Sequence, residues 1–126
     1  MEIKMLERHI IICGWNKEAN NLIENLLTTT RRHILILCPE RPIIPKNPRL
    51  YHLSREPSTS EALREANIDR AFSAIILSNT ESSSNPQDID ARSILIALAV
   101  ESCNPDVHSV VELLKRSNIQ GLICCL

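Results

Sequence analysis

"HIIICGWNKEANNL", residues 9–22, decides the fold. His9-Ile10-Ile11-Ile12-Cys13 is a short apolar run rich in β-branched residues, which reads as a strand buried on both faces. Gly14 ends it, and Ala19, Leu22, Ile23, Leu26 and Leu27 then fall at helical spacing across residues 17–27. Strand, glycine turn and helix in this order open a nucleotide-binding βαβ unit. A dinucleotide fingerprint, G-x-G-x-x-G, has three glycines, whereas here Asn16 stands at the second position and Ala19 at the third. The turn survives, and close approach of backbone to a diphosphate is compromised. Three readings stay open: a reduced dinucleotide site, a site for another ligand, or a turn that binds nothing.

Further along, residues 33–38 ("HILILC"), 50–53 ("LYHL"), 72–77 ("FSAIIL") and 107–114 ("VHSVVELL") read as four more strands. Residues 28–32 break the first helix. Residues 39–48 hold prolines 39, 42, 45 and 48, so the second crossover is an extended loop. Ser58 or Ser60 caps a helix through "EALREAN", closed by Asn67. A polar loop, "SNTESSSNPQD", precedes the longest helix, residues 88–103. Its centre, "ILIALAV", is apolar nearly all round, so the sheet covers one face and another layer or another chain must cover the other. Strands alternating with crossovers of this length predict an α/β, Rossmann-like fold: a doubly wound, mainly parallel sheet of five or six strands with helices on both faces. One domain fills residues 1–126, with 1–7 as a leader and 120–126 as a tail too short to classify.

Composition narrows the function. The formal net charge is -1, and aromatic residues make up 2% of the chain, which disfavours nucleic acid as a partner. The charge is split: residues 1–56 carry nine Lys/Arg against six Asp/Glu, and residues 57–126 carry five against nine. The plain reading of such a split is a solvated surface. Cys13, Cys38, Cys103, Cys124 and Cys125 show no C-x-x-C spacing, and read as free, mainly buried thiols of a reducing cytosol. No apolar run approaches a membrane span. His9, His33, His52 and His108 never pair at i, i+4, so zinc is not expected. Neither a nucleophile elbow nor a Walker loop occurs, and the chain reads as non-enzymatic.

In a doubly wound sheet, ligands sit beyond the carboxyl ends of the strands. The candidate ligand-binding residues are therefore Gly14, Trp15, Asn16, Cys38, Glu40, Ser54, Glu56, Ser78, Asn79 and Glu112, all expected on one edge. Free N–H groups at the first helix start would favour an anion there. The position that holds a ribose at the end of the second strand is Cys38, with Glu40 two residues on as a substitute. Glu112, a carboxylate in an apolar strand run, needs a partner if buried. It could hold a cation, pair with an arginine such as Arg55, or point outward at the strand end.

"HIIICGWNKEANNLIENLL", "EPSTSEALREANIDRAFSAIILSNTE" and "DIDARSILIALAVESCNPDVHSVVELL" together resemble the RCK domain (regulator of potassium conductance), related to the TrkA-N family, over residues 8–119. The "ICGW" turn is closer to the channel-attached members. The resemblance implies a cytoplasmic, non-catalytic regulatory domain that forms homodimers and then a gating ring beneath a potassium channel pore, with no direct membrane insertion. It also implies a ligand: a nucleotide such as NAD(H), ADP, ATP or AMP, or a cation. Calcium-gated members carry carboxylates where this chain has Ser78, Glu112 and Leu114, so a cation is disfavoured. The acidic residue of nucleotide-binding relatives matches Cys38, and their Gly-Asp after the third strand becomes Arg55-Glu56. The alternatives are a small NAD(P)-binding oxidoreductase, a nucleotide-sensing subunit of a potassium uptake transporter, and a purely structural interaction domain. An excised fragment of a longer protein is expected over a stand-alone subunit.

Overall fold

Five strands pair in the order β3-β2-β1-β4-β5, all parallel. They are β1 (Ile10–Cys13), β2 (Ile34–Leu37), β3 (Leu50–Leu53), β4 (Ser73–Ile76) and β5 (His108–Val111). The computed structural model describes residues 2–80 and 85–114; part of the polar loop, Cys124, Cys125 and the tail at 120–126 lie outside them. Every side chain of β1 and β2 is buried, as expected of central parallel strands. Ile10 pairs with Ile34 on one side and Ser73 on the other, and Cys13 with Leu37 and Ile76.

Helices cover both faces. Helix α1 (Ala19–Thr29) packs Ala19, Ile23, Leu22, Leu26 and Leu27 on Ile10, Ile12, Ile34 and Ile36. On the other face, α2 (Ser60–Glu65) and α3 (Pro86–Cys103) bring Ala62, Leu63, Ile96, Ala97 and Val100 against Ile11, Leu35, Ala74 and Ile76. The proline-rich crossover holds no helix. Its Ile44 closes the α1 layer, and Asn20 Nδ2 donates to Ile43 O at 3.2 Å.

Several element ends differ from the sequence reading. Helix α1 runs on to Thr29 because Thr28 and Thr29 Oγ1 both donate to Asn25 O, at 2.9 and 2.8 Å. Thr59, rather than Ser58 or Ser60, caps α2, accepting from Ala62 N at 3.2 Å. Asn85 caps α3 and Pro86 takes its first position, which starts this helix before Asp88. Asn67 closes α2 in the left-handed region, φ 58°, and its amide donates to Ile3, Lys4 and Leu6 carbonyls. The leader is thereby held on the domain, with Leu6 in the core.

His9, just before β1, is buried, and its Nε2 donates to Ala66 O at 2.8 Å. Nδ1 has no hydrogen-bond partner. Burial, opposed by the bond to Ala66, holds this imidazole below its ordinary 6.5, so the folded chain keeps it neutral. The unfolded chain takes up a proton first as pH falls. Its stabilising contribution is therefore complete above pH 6.5 and is lost as pH drops below it. Urea unfolding at about pH 7.5 and about pH 5 should show this loss, and His9→Gln, which retains a donor for Ala66, should flatten it.

Candidate functional site

Gly14 turns the chain out of β1 with φ +94°, and a Cβ there would sit 3.2 Å from Leu77 O. Only glycine takes this conformation against the neighbouring strand without strain. The turn aims Asn16 across the ends of β4 and β5. Asn16 Nδ2 donates to Ser78 O and to Glu112 Oε1, both at 2.9 Å. Glu112 Oε1 accepts again from Ser78 N at 2.8 Å, and Ser78 Oγ donates to Glu112 O at 2.9 Å. One carboxylate oxygen thus clasps three strand ends. Of the three roles open to Glu112, pairing with Arg55 and pointing outward are both corrected. Arg55 lies 2.8 Å from Glu65 and 3.9 Å from Glu61.

Beside the clasp lies a cavity of about 380 Å³ lined by Asn16, Lys17, Glu18, Thr80, Glu112 and Leu114. The start of α1 is less open to an anion than its sequence suggested. Glu18 N donates to Asn16 Oδ1 at 3.0 Å and Ala19 N to Asn16 O at 3.2 Å. The Glu18 carboxylate stands at the same helix end, accepting from Asn21 Nδ2. A ligand here meets two carboxylates and one lysine.

The expected residues do not form one constellation. Gly14, Asn16, Ser78 and Glu112 meet at the clasp. Asn79 follows it, half-buried and engaged in interactions of its own. Trp15 is half-buried against the α1 layer. Cys38, Glu40 and Ser54 form a second group at the ends of β2 and β3. There Cys38 Sγ donates to Glu40 O at 3.2 Å, His52 Nε2 donates to Cys38 O at 3.0 Å, and Ser54 Oγ donates to Pro39 O at 2.8 Å. Arg41, Pro42, Ile44, His52 and Ser54 line a recess of about 490 Å³ on this side, while Glu40 is exposed. Burial pushes the Cys38 thiol up to about 11 and Cys13 up to about 12, so neither is an activated nucleophile. Glu56 belongs to a third contact, an ion pair with Arg92 of α3. Among the described residues no cluster of three His, Cys, Asp or Glu side chains is placed to hold a metal.

Sequence reasoning missed Asp90. It is fully buried and its Oδ1 accepts from Leu114 N at 2.7 Å, which ties the chain beyond β5 to α3. A signal existed: Asp90 shares the inward spacing of Ser93, Ala97 and Val100.

Replacing Glu112 by Ala should strand the Ser78 N–H and one of the two Asn16 Nδ2 hydrogens and cost about 2–3 kcal/mol. Glu112→Gln, which keeps an acceptor at Oε1, should cost about 1 kcal/mol, and urea unfolding separates the two.

The model of the calcium-activated potassium channel slowpoke-like RCK domain matches residues 5–111. The calcium-gated potassium channel TvoK of Thermoplasma volcanium is 28% identical over 91% of this chain and 33% of its own length. The putative potassium channel protein YugO of Bacillus subtilis is 29% identical, over 84% of this chain and 32% of its own. Potassium channel protein 1 of Methanocaldococcus jannaschii is 24% identical over 96% and 34%. The chain spans about a third of the length of these curated relatives. The human SLO3 gating ring shares its fold, with a TM-score of 0.73 at 20% identity, over 90% of this chain and 20% of that one. With the five-stranded parallel sheet and its glycine turn in place, the chain belongs to the slowpoke-like RCK domain family.

Proposed function

We propose that this domain is a ligand-sensing, non-catalytic regulator of a potassium channel, acting on the pore through self-association into a dimer and then a ring. The observation that carries this reading is the outer face of α3. Leu95 is 63% and Leu98 57% exposed, on a stripe continued by Ala91 and Ser102. The sheet covers the opposite side of the helix through Ile89, Ser93, Ile96, Ala97 and Val100. A second copy supplies the cover that the all-round apolar centre of α3 asks for, and each leucine buried contributes about 1.5–3 kcal/mol.

The sensing site is the cavity beside the clasp. Its occupant has to interact differently with the two states of the assembly in order to shift them. Ser78 spends its hydroxyl on Glu112 O and Leu114 is apolar, so Glu112 is the one carboxylate among the three calcium-type positions. That disfavours calcium at this point; a nucleotide bound here would have to present its base or sugar, not its phosphates, to Glu18 and Glu112. Asn16, at the second fingerprint position, is bonded on both sides, which argues against a grip of the dehydrogenase kind.

Sedimentation equilibrium of the chain should show dimers, and Leu95→Asp with Leu98→Asp should shift them to monomers without loss of the fold. A strict monomer at high concentration removes the reading's main support. A thermal-shift panel of NAD, NADH, ATP, ADP, AMP, Ca²⁺, Mg²⁺ and Na⁺ tests sensing, since a ligand at 100 times its dissociation constant adds about 2.7 kcal/mol.

A further inference from the structure

The sheet edge opposite the clasp carries a recess of about 480 Å³ lined by Glu7, Arg8, Thr30, Arg31, Arg32 and His33. Three arginines from two separated chain segments face one carboxylate there. None of the three guanidinium groups is ion-paired among the described residues. Three like charges gathered around a single carboxylate repel on balance, so an arrangement that holds them together has to be built.

It is built in successive layers. Arg49 donates to Leu27 O at 2.7 Å and Thr30 O at 2.6 Å, pinning the end of α1. Thr30 Oγ1 accepts from Arg32 N at 3.2 Å. The Arg32 guanidinium lies 3.6 Å from the centre of the Phe72 ring, and its Nη1 donates to Arg8 O at 2.9 Å. Arg8 N donates to Arg70 O at 2.7 Å, and Arg8 itself holds a left-handed φ of 52°. A bulky non-glycine residue rarely adopts that conformation, and such strain collects at functional positions. Stacking and one carbonyl bond fix Arg32 while leaving most of its donors free, which is the geometry that recognises phosphate oxygens.

We propose that Arg8, Arg31 and Arg32, with Thr30 and His33, form a binding site for a phosphorylated ligand, a second site on the edge away from the clasp. The shared chemistry is a multiply charged phosphate, free in solution or on a lipid headgroup.

Calorimetric titration of the 126-residue chain with inorganic tripolyphosphate tests the proposal. One site is expected. Arg8→Gln and Arg31→Gln should each weaken binding about tenfold, while Arg41→Gln, on the other edge, leaves it unchanged. Phe72→Leu removes the stack but no charge and should also weaken binding; unfolding curves of all four variants check that they fold. Co-sedimentation with phosphatidic acid vesicles that tripolyphosphate reverses assigns a headgroup. Binding of tripolyphosphate without co-sedimentation assigns a soluble phosphate. No heat with tripolyphosphate, equal weakening by Arg41→Gln, or equal competition by polyglutamate overturns the site in favour of bulk charge.

Discussion

Strand β1 has to be covered on both faces at once. Its four side chains are buried, and it sits at the centre of the sheet with hydrogen-bonded neighbours on either side. A parallel strand of this kind cannot face water, so the chain must supply two layers from the crossovers that the topology allows. Helix α1 and the proline-rich crossover form one layer, and α2 with α3 the other. The same strand delivers the glycine turn. The place of Gly14 and Asn16 at the clasp therefore follows from the need to bury Ile10 to Cys13.

The clasp gives Glu112 two duties. It anchors β5 to the ends of β1 and β4, and it forms part of the wall of the adjoining cavity. A cation or donor that engages the carboxylate at Oε1 competes there with the Asn16 amide and the Ser78 N–H. A charged acceptor is worth more to each donor than a neutral one, so the exchange carries a real energetic cost. That cost is paid at the junction of three strands rather than at a loose side chain.

Much of this was legible in the sequence. The strands announced themselves because buried parallel strands are continuous apolar runs, and Gly14 marked the turn. The proline run ruled out a second crossover helix. Helix ends were less legible because they depend on side-chain hydrogen bonds: Asn85-Pro86 resembles loop, and Thr28-Thr29 resembles a breaker until Asn25 O is bonded twice. The need of Glu112 for a partner could be read from its apolar neighbours, but the choice of Asn16 over Arg55 could not. It depends on the β4–β5 register and the direction of the Gly14 turn, both properties of the assembled sheet. For the same reason, residues expected on one edge divide into three groups.

Helix α3 runs unbroken from Pro86 to Cys103 and is read from two sides. Its inner side holds Asp90 against Leu114 N and Arg92 against Glu56, contacts that reach the strand ends. Its outer side carries Leu95 and Leu98. A ligand at the strand edge and a second copy on the outer stripe, as proposed, would act on one and the same helix. Thermodynamic reciprocity then applies: whatever factor a ligand applies to self-association, self-association returns to the ligand. A domain that binds ligand and self-associates as proposed would have an apparent affinity that depends on its own concentration, and a value measured on dilute protein would describe a different equilibrium from the one in an assembly.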